Sequence, residues 1–452
     1  MRSRPLALLL VLAVSVAMLA TGCPAEPDEE EEIGAVSVVG VWGGGELESF
    51  QEVVAGWEEE TGGEMRFEGT RDLSAILRSR IAGGNPPDLA ILPNPALMQE
   101  FGEAGDLIPL EDVLDNMDQF REDYAEQWVE LGSVDGTLYG VFVKAAPKST
   151  VWYSPPDFEE QGYEIPESWD DLVALTNQIR EQDDVAPWSM GFESGGASGW
   201  PGADWIAEIL LAESGPEVYD QWVDHEIPWT HEAVRSAFER FGEIANTEGN
   251  VEGGASAIVG TNFEDASYGP FQDPPRSRMY FLGAFTQGFI ESQFPDLEPE
   301  QGYDFFDFPP IDEQYANAVT VGGDVVVMLN DTPSARSLLE YLADGENWRP
   351  WAEAGGFTTA SAALSEDAYP DPVAVKAADQ LAEADPLRFG AGDAMPAEVQ
   401  SAFWQGVLDY VQNPGNLDSI LQRIESVAED AYGAQEGEGA QEETPTENGG
   451  GE

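Results

Sequence analysis

The stretch 134–173, VDGTLYGVFVKAAPKSTVWYSPPDFEEQGYEIPESWDDLV, carries the strongest fold signal in the chain. Asp135-Gly136 is a tight-turn dipeptide between β-branched and aromatic residues, which predicts a hairpin. The strand after the turn, 141–143, changes character at 144–148 and resumes at 151–153. A strand that breaks and restarts in this way indicates a crossing between two lobes.

A helix start follows directly. Ser168 precedes the apolar residues Leu172 and Val173, and Asp171 stands three positions after it. A serine with an acid at this spacing is typical of a capped helix N-terminus.

Three parts of this stretch stand in a characteristic order: the G-x-x-Y-G turn at 136–140, the strand with Trp152-Tyr153, and the P-E-S-W-D-D-L segment at 166–172. Together they resemble the extracellular solute-binding family 1, the sugar-binding proteins of bacterial ABC importers that include maltose-binding proteins. The resemblance implies an α/β fold of the two-lobed periplasmic-binding-protein-like kind (type II), with three hinge crossings. It also implies a monomeric binding protein, not an enzyme, that closes on a carbohydrate and docks on permease subunits.

Further blocks extend the resemblance over about 36–432 and give the expected organisation. They include GGNPPDLAI at 83–91, the Gly322-Gly323 pair before a buried strand, and M-P followed by S-A-F-W at 395–404. The expected segments are 1–22 signal peptide, 23–34 acidic tether, 35–145 first lobe, 146–318 second lobe, 319–376 return to the first lobe, 377–432 second lobe with C-terminal helices, and 433–452 disordered acidic tail.

The N-terminus predicts export. Arg2 and Arg4 precede an apolar run at 6–20, which is too short to span a membrane comfortably and is typical of a signal peptide. The run ends before Cys23, the only cysteine, in a segment that resembles a lipobox but has Ala20 where leucine is usual. The resemblance implies cleavage before Cys23, lipidation of its thiol, and a position on the outer face of the cytoplasmic membrane.

The charge excludes one class of partner. The chain has 87 acidic and 19 basic residues in 452, a net charge of −68, and its three lysines are Lys144, Lys148 and Lys376. Nucleic-acid binding needs a basic patch, so it is excluded. The acids are spread along the chain, which favours a solvated surface, and our hypothesis is adaptation to high salt in a halophile with an acidic proteome.

Known catalytic and cofactor motifs are missing from the sequence. It contains no G-K-[ST] phosphate loop, no G-x-S-x-G elbow and no EF-hand spacing. His225 and His231 are the only histidines, and surface positions explain them better than a metal site. We therefore predict no catalytic residue, no metal and no cofactor.

Some candidate ligand contacts have a second interpretation from the residues alone. Asp204, in the loop around Trp200, could accept from sugar hydroxyls or cap the next helix. Trp404 could stack on a sugar or lie on the buried face of a helix with Val407 and Val411.

The resemblance implies twelve ligand-binding residues in all. The candidate stacking residues are Trp42, Trp200, Phe285, Phe357 and Trp404. The candidate polar contacts are Glu46, Asn94, Lys144, Asp204, Asp324, Arg388 and Asp393.

The sugar itself stays open at this point. The W-P-x-x-D-W loop at 200–205 and the R-F and D-x-M-P segments at 388–396 are most similar to the α-glucoside branch. The alternatives are a receptor for another sugar or polyol, a secreted carbohydrate-active hydrolase, and a cell-surface adhesion module.

Overall fold

The structure, a computed structural model, describes residues 33–442, with side chains described for 33–433. The predicted signal peptide, Cys23 and residues 443–452 lie outside the described residues. Between residues 33 and 442, no helix is both long enough and apolar enough to cross a membrane.

The strands of the described part are β1 (Ala35–Gly40), β2 (Glu64–Gly69), β3 (Leu89–Leu92), β4 (Ser133–Val134), β5 (Thr137–Leu138), β6 (Gly140–Pro147), β7 (Thr150–Tyr153), β8 (Ala186–Trp188), β9 (Ser277–Phe281), β10 (Asp304–Asp307), β11 (Val319–Met328) and β12 (Leu387–Phe389).

The α-helices are α1 (Gly44–Thr61), α2 (Leu73–Ala82), α3 (Pro95–Glu103), α4 (Met117–Asp123), α5 (Glu126–Leu131), α6 (Pro155–Gln161), α7 (Trp169–Gln182), α8 (Trp200–Val223), α9 (Glu232–Ala245), α10 (Gly254–Gly260), α11 (Phe263–Ser267), α12 (Thr286–Gln293), α13 (Pro333–Ala343), α14 (Arg349–Ala354), α15 (Pro372–Glu383), α16 (Ala391–Ala394), α17 (Ala397–Gln412) and α18 (Leu417–Glu442).

The first lobe is built on a six-stranded sheet in the order β12-β11-β3-β1-β2, with β6 paired to β11. β1 runs parallel to β2 and β3, whereas β11 runs antiparallel to β3 and β6. Helix α1 packs its apolar face, with Phe50, Val54 and Trp57, into the core of this lobe. This βα arrangement is the one that the alternating apolar segments predict.

The second lobe is built on a four-stranded sheet in the order β10-β7-β9-β8. Helix α8 is buried along most of its first half and lies in the lobe's core with Trp188, Trp205 and Phe403. Its backbone leaves helical geometry at Gly215, where φ is 78°. The two lobes therefore have separate hydrophobic cores.

The chain passes between the two sheets where the opening stretch predicted. β6 ends in the first sheet at Pro147, and β7 begins in the second sheet at Thr150. β11 returns the chain to the first sheet, and a third connection lies between Ala368, in the first core, and Val373, which packs with Trp152 of the second lobe. The predicted two-lobed α/β fold with three crossings is confirmed.

The predicted Ser168 cap is present, since its hydroxyl accepts from the Asp171 amide at 3.2 Å. Thr332 caps α13 in the same way and accepts from the Ala335 amide at 3.1 Å. The cap interpretation of Asp204 is wrong, because α8 begins at Trp200 with Gly199 as its N-cap.

Three segments differ from the expected organisation. Strand β2 was not predicted, although Met65 and Phe67 alternate with polar residues along it. β12 pairs with the start of β11 in the first sheet, whereas 377–432 was expected to belong to the second lobe. The last helix continues to Glu442, past residue 433, where a disordered tail was expected to begin.

Candidate functional site

A cleft of about 370 Å³ lies between the two lobes. From the first lobe, it is lined by segments that follow strand ends: Trp42 after β1, Arg71 after β2 and Asn94 after β3. Ligands in α/β sheets bind outside the carboxyl ends of the strands, which is where these side chains converge.

The second lobe gives the cleft an aromatic wall, which consists of Trp200, Phe263, Phe285, Phe289 and Trp404. Trp200 packs edge-on against Phe263 with a centroid distance of 5.1 Å, and Phe285 lies 6.2 Å from Trp200. Phe289 contacts both phenylalanines at 5.9 Å. Four of the five rings thus hold one another in place and offer a preformed apolar surface.

The first lobe gives the cleft a polar wall. The Lys144 ammonium lies 2.6 Å from Glu46 Oε1 and 4.8 Å from the ring centroid of Trp351. The Trp42 indole nitrogen donates to Asp324 Oδ2 at 3.1 Å. Burial raises the pKa of Asp324 to about 6, against the opposing attraction of Lys144.

Lys148 lies at the floor of the cleft, next to the first crossing. Its ammonium donates to Asp204 Oδ1 and to Asp393 Oδ2, both at 2.9 Å, and lies 5.7 Å from the Trp200 ring centroid. Burial lowers the pKa of Lys148, but the attraction of the two carboxylates outweighs it, so the pKa is raised and the lysine stays charged.

The two lobes also contact each other along the lining of the cleft. The Arg71 guanidinium lies 5.8 Å from the ring centroid of Phe263. A Cβ on Gly196 would lie 2.8 Å from Asp72 Oδ1, so the Gly196 backbone passes close to Asp72. These contacts join residues after β2 to the second lobe.

Nine of the twelve predicted ligand-binding residues line the cleft together. They are Trp42, Glu46, Asn94, Lys144, Trp200, Phe285, Asp324, Asp393 and Trp404. Trp42 is only 1% exposed, so it offers little surface to a ligand.

The other three predicted residues do not line the cleft. Asp204 is buried behind Lys148. Phe357 lies in the first lobe's core, 3% exposed and stacked on Trp348 at 5.5 Å. Arg388 makes a two-pronged pair with Asp220 of α8, at 2.5 and 2.8 Å.

Several cleft residues were not among those predicted. They are chiefly Arg71, Asp72, Arg78, Lys148, Ser194, Phe263, Phe289, Gln400 and Ser401. Arg71 and Asp72 follow the unrecognised strand β2, whose alternation of Met65 and Phe67 is the signal that would have placed them. Lys148 was assigned to the hinge stretch by its position but was not included among the contacts.

Within residues 33–442, no group of three or more histidine, cysteine, aspartate or glutamate side chains could hold a metal ion. Some polar groups of the cleft are fixed in ion pairs, such as Lys144 with Glu46 and Lys148 with Asp393.

Comparison with known proteins agrees with this geometry. The family model described as bacterial extracellular solute-binding protein matches residues 43–347. The chain is 36% identical over 419 residues to the osmoprotective compounds-binding protein GgtB of Synechocystis sp., covering 92% of this chain and 97% of GgtB. It is 34% identical over 394 residues to the alpha-glucosides-binding periplasmic protein AglE of Rhizobium meliloti, covering 85% of this chain and 84% of AglE.

Solved structures share the fold at lower identity. The bacterial solute receptor AcbH superimposes with a TM-score of 0.77 at 19% identity, covering 88% of this chain and 99% of AcbH. The GacH receptor of Streptomyces glaucescens superimposes with a TM-score of 0.70 at 15% identity, covering 89% of this chain and 99% of GacH. These similarities confirm the type II periplasmic-binding fold.

The matched family and these relatives are solute-binding proteins of ABC importers, not enzymes, so the hydrolase alternative is not supported. Such proteins work in the periplasm or cell envelope. From the matched residues and the extent of both relatives, the chain belongs to the bacterial extracellular solute-binding protein family.

Proposed function

We propose that this protein is a monomeric receptor that captures a small neutral α-glucoside for an ABC importer by closing its two lobes around the sugar. The observation that carries the proposal is the division of the cleft into an aromatic wall and a polar wall. A sugar ring presents apolar C–H faces to aromatic rings, and its hydroxyl groups need donors and acceptors at its edge. A ligand that touches both walls favours the closed arrangement of the lobes.

The charge of the cleft favours an uncharged ligand. Four basic side chains, Arg71, Arg78, Lys144 and Lys148, line it. Four acidic side chains, Glu46, Asp72, Asp324 and Asp393, line it as well. The cleft is therefore formally neutral inside a chain of net charge −68, whose field repels anions during approach.

The size of the cleft favours a short ligand. Small-molecule sites measure roughly 300–1,000 Å³. At about 370 Å³, this cleft is near the lower end, which suits one or two sugar rings better than a long oligosaccharide. The names of AglE and GgtB refer to α-glucosides and osmoprotective compounds, and a small, uncharged α-glucoside meets both descriptions.

The test is calorimetric titration with maltose, trehalose, sucrose, maltotriose and glycine betaine, at low salt and in 1 M NaCl. We expect saturable one-site binding of at least one disaccharide, weaker binding of maltotriose, and no sugar cleavage products by chromatography afterwards. Glycine betaine separates sugar recognition from the recognition of a small zwitterionic osmolyte. If only glycine betaine binds, or if no sugar binds at either salt concentration, the α-glucoside assignment is wrong.

We also propose that Cys23 carries a lipid anchor that holds the receptor at the membrane. Support comes from the sequence alone, since Cys23 follows an apolar run and a short segment of small residues. The expected result is that the exported protein partitions into the detergent phase, whereas Cys23→Ser partitions into the aqueous phase. Equal partitioning of the two proteins would contradict the anchor.

A further inference from the structure

One face of helix α8 touches the segments on which the two lobes turn. Glu208 Oε2 accepts from the Ser149 hydroxyl at 2.7 Å and from the Thr320 hydroxyl at 2.5 Å. Ser149 lies between β6 and β7, and Thr320 lies at the start of β11, so one carboxylate holds the first and second crossings together. The Lys148 amide donates to the Thr320 carbonyl at 2.7 Å, which joins the same two segments directly.

Asp204 stands one turn before Glu208 on this face and holds Lys148. To reach Asp204, the Lys148 side chain passes close to two glycines of neighbouring segments. A Cβ on Gly322 of β11 would lie 2.6 Å from Lys148 Cε, and a Cβ on Gly390, next to β12, would lie 3.0 Å from Nζ. Lys148 thus lies against three different chain segments at the hinge, and it lines the cleft as well.

We propose that Asp204 and Glu208, the hinge clasp, bind a proton when the lobes close, so that ligand binding by this receptor is coupled to proton uptake. Each of the two carboxyl groups has an oxygen on which the proton can reside. Asp204 Oδ2 and Glu208 Oε1 are both buried, and neither has a hydrogen-bond partner within the described residues. This coupling rests on the proposed function, because it requires that the lobes close when sugar binds.

The ionisable groups around the clasp leave it with excess negative charge. Glu208 is 1% exposed, and the groups that face it are Asp204 and Tyr219 on its own helix. Lys148 on the first crossing and Asp393 on α16 complete the set. One ammonium is shared among three carboxyl groups, so the cluster carries a net negative charge when all are ionised. Such a buried charge is costly unless a proton neutralises it.

Burial is the largest cause that raises the pKa of Glu208, to about 7, and it also raises the pKa of Asp204. A conformation that buries these groups therefore binds protons more tightly than one that hydrates them. The proposal requires that opening at these segments, which hold Ser149 and Thr320, admits water to Glu208, which is buried here. Low pH consequently favours the closed arrangement, and this advantage is lost as the pH rises through about 7.

The expected linkage is large enough to measure. If opening returns Glu208 to the ordinary pKa of a glutamate, the closing constant falls by up to about tenfold between pH 6 and pH 8. At pH 7, binding takes up about half a proton per sugar molecule. Proton uptake is read by calorimetry in phosphate and in Tris, with the tightest-binding sugar among maltose, trehalose and sucrose.

The test variant is Glu208→Gln, which keeps the acceptor oxygen and cannot titrate. We expect it to lose both the proton uptake and the pH dependence of affinity. Glu340→Gln is the matched control, because Glu340 of α13 also has a pKa raised by burial but lies in the first lobe, away from the crossings. A second variant, Ser149→Ala, removes a hydrogen bond that lowers the pKa of Glu208, so the midpoint of the pH profile should move upward.

A ligand-free measurement separates this proposal from the sugar assignment. Small-angle X-ray scattering in 1 M NaCl should give a smaller radius of gyration at pH 6 than at pH 8 for the wild type and for Glu340→Gln. Glu208→Gln should show no such change. An unchanged radius of gyration in the wild type, or proton uptake that persists in Glu208→Gln, would overturn the proposed proton coupling. If no sugar binds, only the proposed ligand is wrong.

Discussion

The two lysines of the cleft show how a single residue prepares the site for a sugar. An ammonium group has three N–H donors and no acceptor. Lys148 uses two donors on Asp204 and Asp393, which leaves one for a ligand hydroxyl. Both lysines are almost fully buried, and each is paired with a carboxylate, Lys144 with Glu46 and Lys148 with Asp204. Each ion pair therefore offers a fixed donor beside a fixed acceptor.

Two aromatic residues predicted to stack on the ligand occupy different environments. Trp404 of α17 is half-buried and lines the cleft, whereas Phe357 stacks inside the first lobe's core. We predict that Trp404→Ala raises Kd by about tenfold to a hundredfold, or about 1.4–2.8 kcal/mol, because it removes ring area from the aromatic wall. Phe357→Leu should lower the unfolding free energy by about 1 kcal/mol and change Kd less than twofold.

Titration calorimetry and thermal unfolding of both variants check this pair. A Trp404→Ala protein that binds like the wild type would assign Trp404 to helix packing, which is the second interpretation of the sequence. A large loss of affinity in Phe357→Leu would mean that the core around Trp348 shapes the cleft more directly than the contacts indicate.

At the scale of elements, the sequence predicts best where local chemistry is self-contained. The Asp135-Gly136 turn forms the β4–β5 hairpin with positive φ at both residues, and the Ser168 cap forms as predicted. Each of these features depends on residues a few positions apart. Strand β11 is recognisable because the apolar run 325–328 follows Gly322-Gly323.

The elements that sequence analysis missed depend on distant partners. Strand β2 lies at the sheet edge, so its alternation is mostly polar and resembles a loop. Strand β12 has only three residues, and it exists because β11 supplies its partner. The role of Glu208 was equally invisible, since its partners Ser149 and Thr320 are 59 and 112 positions away.

At the scale of the whole molecule, the excess of acid has few bases to balance it. Arginines and lysines are largely engaged in ion pairs, and all three lysines are paired with a carboxylate: Lys144 with Glu46, Lys148 with Asp204 and Asp393, and Lys376 with Asp304. The exposed acids that have no basic partner repel one another. This self-repulsion weakens the folded state whenever it is not screened.

We therefore predict that stability depends strongly on salt. The Debye length falls from about 10 Å at 0.1 M to about 3 Å at 1 M, which screens acids across the surface but leaves the buried pairs of Lys148 nearly unaffected. The melting temperature should rise by about 5 °C or more between 0.1 M and 1 M NaCl. Scanning calorimetry measures this shift, and an equal osmolality of glycerol serves as the uncharged control.

The same experiment separates charge screening from general solute effects. If glycerol raises the melting temperature as much as NaCl does, the stabilisation does not come from screening of the acidic surface. If neither solute changes it, surface repulsion is already offset by other interactions, and the hypothesis of adaptation to high salt is wrong. A rise with NaCl alone would support adaptation to high salt, because screening would then act on the exposed acids, whereas the buried ion pairs of Lys148 are nearly unaffected by salt.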